Sequence, residues 1–198
     1  MRDIVKPALI LFMICVVVSV SLAFTYSTTK NQINAREIQA AEAARKEALS
    51  AADSFEKIDG IKGIASGKPE LETVKEVYKG LKGTELQGYV FTVEPKGYGG
   101  PIHITVGIDT KGKLCGIKIG QNNETPGLGT KAAEPAFMSQ LTGIVPKEPL
   151  KVVKGKKSKP EEVEAVSGAT ITSKAVVGAA QAAVDIALKI AEKEGGVK

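Results

Sequence analysis

The sequence predicts an α+β fold: a single N-terminal transmembrane helix, then a small domain in which an antiparallel sheet packs against helices. Three features lead to this prediction. They are an apolar run over residues 8–26, short alternating segments between 89 and 119, and an Ala/Val-rich segment over 173–193. The chain has 198 residues, so about one soluble domain fits in what the apolar run leaves over.

The apolar run over 8–26 predicts the membrane-spanning helix. At about 1.5 Å per residue it covers roughly 28 Å, close to the thickness of the hydrocarbon core. Arg2 and Lys6 precede it, so the positive-inside tendency places the N-terminus in the cytoplasm and the rest outside the plasma (inner) membrane. A cleaved signal peptide is the alternative, because residues 21–23 (Ser-Leu-Ala) suit a signal peptidase. A retained anchor is favoured, since the run continues through Phe24.

The stretch over 28–83 is predicted to be an extracytoplasmic helical stalk. Residues 30–55 are rich in Ala, Glu, Lys, Gln and Arg and contain no Pro or Gly, which gives a strong helix propensity. A short helix is expected over 71–78, ended by Gly80 and Gly83. The predicted division of the chain is therefore 1–27 for the cytoplasmic start and anchor, 28–83 for the stalk and 84–198 for the soluble domain.

Short segments with alternating apolar residues predict an antiparallel meander in the soluble domain. Its strands are expected over 89–94, 102–108 and 114–119, and residues 109–112 (Asp-Thr-Lys-Gly) form the expected hairpin loop. Three further elements are expected: a short helix over 134–141, a strand over 151–153 and a long helix over 173–193. The helices should cover one face of the sheet.

The composition excludes several kinds of site. Cys15 lies in the apolar run and Cys115 in a predicted strand, so a disulfide, an iron–sulfur cluster and a structural zinc site are all unsupported. His103 alternates with apolar strand residues, which favours a surface role over catalysis. Aromatic residues are 5% of the chain, so a stacking platform for nucleic acid is not expected. The lysines over 147–159 are interrupted by prolines and followed by glutamates, which favours a solvated loop over a nucleic-acid site.

The first motif with candidate chemistry lies just before the long helix. It is Ser167-Gly168-Ala169-Thr170, and Thr172 follows it. Free N–H groups and the helix dipole at such a position favour a phosphate group, and Gly168 and Ala169 allow that group to approach the backbone. The alternative is that these hydroxyls are ordinary helix caps.

The second motif is a loop that follows the last strand of the meander. Its sequence is Glu124-Thr125-Pro126-Gly127-Leu128-Gly129. Pro126 and Gly127 predict a tight turn, and Gly129 allows a second irregular conformation. Leu128 would then be displayed at the tip, where it could touch an apolar ring. On spacing alone, a purely structural turn is an equal alternative.

Neither motif supplies a histidine, a cysteine or paired carboxylates, so the pair suits holding a phosphorylated cofactor rather than cutting a substrate. Both motifs follow Gly97-Tyr98-Gly99-Gly100-Pro101-Ile102 in the order and approximate spacing of the FMN-binding domain family, which the chain resembles. The resemblance covers about residues 89–188. With its N-terminal anchor, the whole chain is similar to the RnfG family, the G subunits of Rnf electron-transport complexes.

The resemblance implies a covalent cofactor. The threonine that ends the first motif, Thr170, would be esterified to FMN by an FAD-dependent flavin transferase. One departure is visible, because the family commonly has Asp three residues before the serine and this chain has Glu164. Further cofactor contacts are expected from Ser167, Gly168, Ala169, Thr172, Glu124, Thr125, Gly127, Leu128 and Gly129.

The resemblance also implies a function: an extracytoplasmic electron carrier in an ion-translocating Rnf ferredoxin:NAD oxidoreductase complex, not catalytic alone. The expected partners are the other membrane and peripheral subunits, the flavin transferase and the membrane, with no nucleic acid. One alternative is the C subunit of a sodium-translocating NADH:quinone reductase, which is usually longer. The other is a membrane-anchored adaptor without flavin, in which the first motif only caps a helix.

Overall fold

The first part of the chain is one long helix. The computed structural model describes residues 2–58, 60 and 71–193, and the chain divides into two compact units, Met1–Glu42 and Ala43–Lys198. Helix α1 spans Arg2–Ala48. Its segment Val5–Lys30 has 26 residues and a mean hydropathy of 2.7, so it is long and apolar enough to cross a membrane. The apolar side chains of this segment are not buried against other parts of the protein.

Several hydroxyl side chains of this apolar segment donate hydrogen bonds within the helix itself. The Ser21 hydroxyl donates a hydrogen bond to the Val17 carbonyl at 2.8 Å, and the Thr25 hydroxyl donates to the Ser21 carbonyl at 2.9 Å. Such bonds to the preceding turn leave fewer unpaired polar groups on the apolar surface, as a lipid environment requires.

The second unit is built on a five-stranded antiparallel sheet whose strands lie side by side in chain order. Each strand pairs with the next one along the chain, so the predicted meander is confirmed and continues through two earlier strands. The strands are β1 (Ser54–Lys57), β2 (Val74–Lys82), β3 (Glu85–Val93), β4 (Ile104–Asp109) and β5 (Leu114–Ile119).

The helix predicted over 71–78 is wrong, because a 3-10 turn over Leu71–Thr73 leads directly into β2. The buried residues Val74 and Val77 are three apart, which suits a helix. In the structure a register shift between Val74 and Glu76 produces this spacing, since a bulge adds one residue and breaks the alternation of a strand. The sheet therefore begins within the stretch that was predicted to be a helical stalk.

Helix α1 also ends earlier than the helix predicted over 30–55. It stops at Ala48, and the chain then turns into β1, which pairs with β2. Ala48, Leu49 and Ala52 are buried against Val90 of β3. Burial of these side chains against the sheet outweighs the helix propensity of the following residues.

The remaining elements surround the meander and differ slightly from the predicted bounds. The short helix is limited to four residues, and the long helix starts at Thr170 rather than at 173. A parallel pair of short strands includes one, over 162–164, that was not predicted from the sequence. These elements are α2 (Pro135–Met138), β6 (Lys151–Val153), β7 (Glu162–Glu164) and α3 (Thr170–Lys193).

Both faces of the sheet are covered, whereas the sequence predicts helices on one face. The mostly buried α3 packs with Phe91, Ile104 and other residues of one face in the main hydrophobic core. The end of α1 covers the opposite face, where a Cβ on Gly107 would overlap the Ala48 carbonyl. The glycine therefore allows the end of α1 to approach the sheet backbone closely.

Candidate functional site

The two motifs meet at one open pocket in the second unit. Its volume is about 470 Å³, within the range of roughly 300–1,000 Å³ that is typical of small-molecule sites. The wall is formed by the glycine-rich turn over 97–100, the loop over 124–129 and the start of α3. The lining residues are Tyr98, Glu124, Thr125, Leu128, Gly129, Gly168, Ala169, Thr170, Ile171 and Thr172.

Most of the residues predicted for the site therefore come together. Ser167 and Gly127 belong to the same two motifs but do not line the pocket. Tyr98 and Ile171 line it and were not predicted as site residues. The sequence did contain a signal for Tyr98 as a site residue, because it is a single aromatic residue among three glycines. In the structure it is 70% exposed.

The first motif forms the turn that starts α3. Gly168 has φ +77°, a conformation that favours glycine, and the Ala169 N–H closes the turn onto the Val166 carbonyl at 2.9 Å. The Ser173 hydroxyl holds this turn, since it accepts from the Val166 N–H at 3.0 Å and donates to the Ala169 carbonyl at 2.9 Å. Thr170 is the first residue of the helix, where backbone N–H groups lack partners within the helix.

The two threonines at this helix start have different surroundings. Thr172 is 2% exposed, and its hydroxyl donates a short hydrogen bond to Oε2 of Glu124. Thr170 is half-buried, and within the described part of the chain its hydroxyl makes no hydrogen bond to a protein atom. Of these two threonines, Thr170 is therefore the one whose hydroxyl is available to a group in the pocket.

The loop over 124–129 presents an apolar side chain at the pocket. Gly127 has φ +75°, its N–H donates to the Thr130 hydroxyl at 3.0 Å, and the Leu128 N–H donates to the Thr125 carbonyl at 3.1 Å. These bonds fix the tight turn that Pro126-Gly127 predicts. Leu128 is 44% exposed and lines the pocket.

Glu124 joins the three segments of the wall. The side chain is 6% exposed; its Oε1 accepts from the Gly99 N–H at 3.0 Å and its Oε2 accepts from the Thr172 hydroxyl. An added Cβ on Gly97 or Gly129 would overlap this carboxylate. Both glycines have φ outside the left-handed region, so the space they leave is what the carboxylate requires.

Removal of the Thr172 hydroxyl is expected to destabilise the protein. Thr172→Val keeps the volume but leaves Oε2 of buried Glu124 without its donor. The expected loss of unfolding free energy is about 1–3 kcal/mol, measured by thermal unfolding of the flavin-free chain in detergent. Thr125→Val is the control, because Thr125 is exposed in the same pocket and should cost less than about 0.5 kcal/mol. Equal stabilities of the two variants would contradict this assignment.

The other residues considered from the sequence lie outside the pocket wall. His103 Nδ1 is 3.2 Å from Oε1 of Glu94 on the surface, in keeping with a surface role. Lys159 pairs with Glu148 at 3.0 Å in the exposed lysine-rich loop, and this hydrogen bond raises the pKa of Lys159. Oε1 of Glu164 accepts a hydrogen bond from the Lys157 N–H at 3.0 Å, which ties β7 to the same loop.

Comparison with known proteins places this site in a family. Residues 97–185 match the FMN-binding domain family, a stretch that holds both motifs and the glycine-rich turn. The chain is 38% identical to the G subunit of the Na(+)-translocating ferredoxin:NAD(+) oxidoreductase complex of Acetobacterium woodii, over 91% of this chain and 90% of that protein. The chain belongs to the RnfG family, the G subunits of ion-translocating oxidoreductase complexes.

Another member of the RnfG family shows the same relation. The chain is 32% identical to the G subunit of the proton-translocating ferredoxin:NAD(+) oxidoreductase complex of Clostridium ljungdahlii, over 86% of this chain and 84% of that protein. The crystal structure of Shewanella oneidensis NqrC superposes with a TM-score of 0.47 at 20% identity, over 74% of each chain. The names of the two RnfG relatives give different ions, sodium for the first and protons for the second.

The pocket of this RnfG family member fits the parts of FMN. The uncommitted Thr170 hydroxyl and the free N–H groups of the first turn of α3 suit the phosphate end. Tyr98, Leu128 and Ile171 are exposed side chains of the wall with apolar surface, and they suit the ring system. The chemistry of the wall therefore agrees with the FMN-binding domain that the chain carries.

Proposed function

We propose that this chain is an extracytoplasmic electron-carrier subunit of an ion-translocating ferredoxin:NAD oxidoreductase complex, with FMN bound as a phosphoester to Thr170. The observation that carries the proposal is the free Thr170 hydroxyl at the start of α3, in the wall of a pocket within an FMN-binding domain. The names of the RnfG relatives supply the complex. FMN supplies reversible electron transfer when bound, and the protein supplies orientation and electrostatics.

The residues of the wall hold and orient the cofactor. The N–H groups and dipole of α3 stabilise the phosphate beside Thr170, and Gly168 lets that group approach the backbone because it has no Cβ. Leu128 and Tyr98 offer apolar surface to the ring. Glu124 is the one acidic side chain of the lining, and both its oxygens already accept hydrogen bonds. The wall therefore suits an electron relay better than the turnover of a substrate.

Mass spectrometry tests the covalent linkage. The full chain is produced with an FAD-dependent flavin transferase in the exported compartment, purified in detergent and measured intact. The expected mass gain is that of one FMN, and peptide mapping should place it on Thr170. Flavin on Thr172 or on Ser167, or a chain that stays unmodified beside an active transferase, would contradict the proposal. Subunits that co-purify with the chain then distinguish the ferredoxin:NAD complex from an NADH:quinone reductase.

We further propose that residues 1–27 form a cytoplasmic start and a retained single-pass anchor, with the pocket outside. The apolar segment Val5–Lys30 supports the span, and the basic residues ahead of it support the orientation. A reporter that works only outside the cytoplasm, fused after Lys198, should be active. Activity of a cytoplasm-only reporter at the same position would reverse the orientation. A mature chain that lacks residues 1–23 would instead favour the signal peptide.

A further inference from the structure

Glu124 places an unpaired negative charge in the pocket wall. Among the described residues it is the one charged side chain that is buried, and no lysine, arginine or histidine of that part of the chain forms an ion pair with it. Its partners are the Gly99 N–H and the Thr172 hydroxyl, which both donate. One donor to each oxygen suits the ionised carboxylate, which can only accept hydrogen bonds.

This carboxylate is fixed close to the site of attachment. It bonds to Thr172, two residues after Thr170 in the same first turn of α3, and Glu124 and Thr170 line the same pocket. Gly97 and Gly129 lie tightly against it, because a Cβ on either would overlap its oxygens. The charge therefore has one defined place relative to any group held by Thr170.

We propose that Glu124 is an electrostatic positioning residue of the flavin site, and that its carboxylate lowers the midpoint potential of the bound FMN. The inference rests on the proposed function. A buried charge is weakly screened by water, so it disfavours additional negative charge on a group in the same pocket. Reduction adds electrons to the flavin, so the carboxylate disfavours the reduced form.

The test is a spectroelectrochemical titration of the full-length, flavinylated chain in detergent. Glu124→Gln is nearly isosteric and removes the charge; the amide oxygen still accepts from one donor, and the Thr172 hydroxyl can rotate to accept from the amide N–H. The midpoint potential of this variant is expected to lie above that of the wild type. The matched control is Glu134→Gln, which removes the same charge from an exposed position outside the pocket wall and should leave the potential unchanged.

A folded, flavinylated Glu124→Gln chain with the wild-type potential would overturn the inference. If that variant does not retain flavin, Thr172→Val decides, because it keeps the carboxylate and removes the hydroxyl dipole directed at it. Its potential is expected to fall below the wild-type value, and an equal or higher value would overturn the inference. Failure of the proposed function looks different: the wild-type chain itself would then carry no flavin on Thr170.

Discussion

Thr170→Ala is expected to abolish ferredoxin-to-NAD electron transfer by the assembled complex while the complex stays intact. The change removes the one threonine hydroxyl of the α3 start that has no protein partner in the described structure. If FMN is attached as proposed, the variant has no attachment point, and the relay between the neighbouring redox centres is missing. Activity should fall to the level of a complex that lacks the whole chain, measured as ferredoxin-dependent NAD reduction by purified complex.

The fold should tolerate this substitution. Thr170 is half-buried at the first position of α3, and alanine is a good helix former, so the unfolding free energy should change by less than about 0.5 kcal/mol. Two controls separate attachment from packing. Thr110→Ala removes an exposed hydroxyl from the hairpin loop outside this pocket and should keep both flavin and activity. Thr170→Ser keeps a hydroxyl at position 170 and should keep part of the flavin.

The measurements that would contradict this prediction are direct. A Thr170→Ala chain that still shows covalent flavin fluorescence on a denaturing gel would remove Thr170 as the attachment point. A flavin-free complex with wild-type electron transfer would show that this chain does not relay electrons through FMN. The isolated, flavinylated chain should oxidise NADH negligibly, and rapid turnover by that chain alone would show that it is an enzyme in its own right.

The fold class was predictable because apolar periodicity is a local property of the sequence. Ile104, Val106 and Ile108 alternate along β4, and all three are buried in the main core, as a half-buried strand requires. The bulge in β2 could not be predicted from apolar periodicity. It changes the spacing of Val74 and Val77 to that of a helix, and only pairing with β3 reveals which spacing applies.

The sequence predicted the two motifs of the candidate site, but not the hydrogen bonds that join them. Small residues and hydroxyls mark the start of α3, since local backbone chemistry selects them. The bond from Thr172 to Glu124 joins residues 48 positions apart, and nothing in either motif predicts it. Glu124 and Thr172 were predicted as cofactor contacts; both line the pocket, and their side chains also bind each other.

The two glycines of the loop also differ in this way: one is required by the local backbone conformation and the other by tertiary packing. Gly127 and Gly129 were both predicted to matter for their conformational freedom, and only Gly127 has a positive φ, at +75°. An added Cβ at Gly127 meets no atom within 4 Å, so Gly127→Ala costs backbone strain alone, about 1–2 kcal/mol. At Gly129 the added Cβ would lie 2.8 Å from Cβ of Glu124 and 3.0 Å from the Thr172 hydroxyl.

Gly129→Ala is therefore expected to damage the site far more than Gly127→Ala. The new methyl group forces Glu124 out of its place, so an overpacking cost of about 1–3 kcal/mol adds to the cost of buried groups that lose their partners. Most of the covalent flavin should be lost in Gly129→Ala and most retained in Gly127→Ala, measured by gel fluorescence beside the thermal unfolding of each full-length chain. The double variant Gly129→Ala with Glu124→Gly removes the whole colliding side chain, including the Cβ of residue 124, so the two stability costs should be clearly less than additive. Equal flavin loss in the two glycine variants, or additive costs in the double variant, would show that the glycine at 129 does not serve to make room for Glu124.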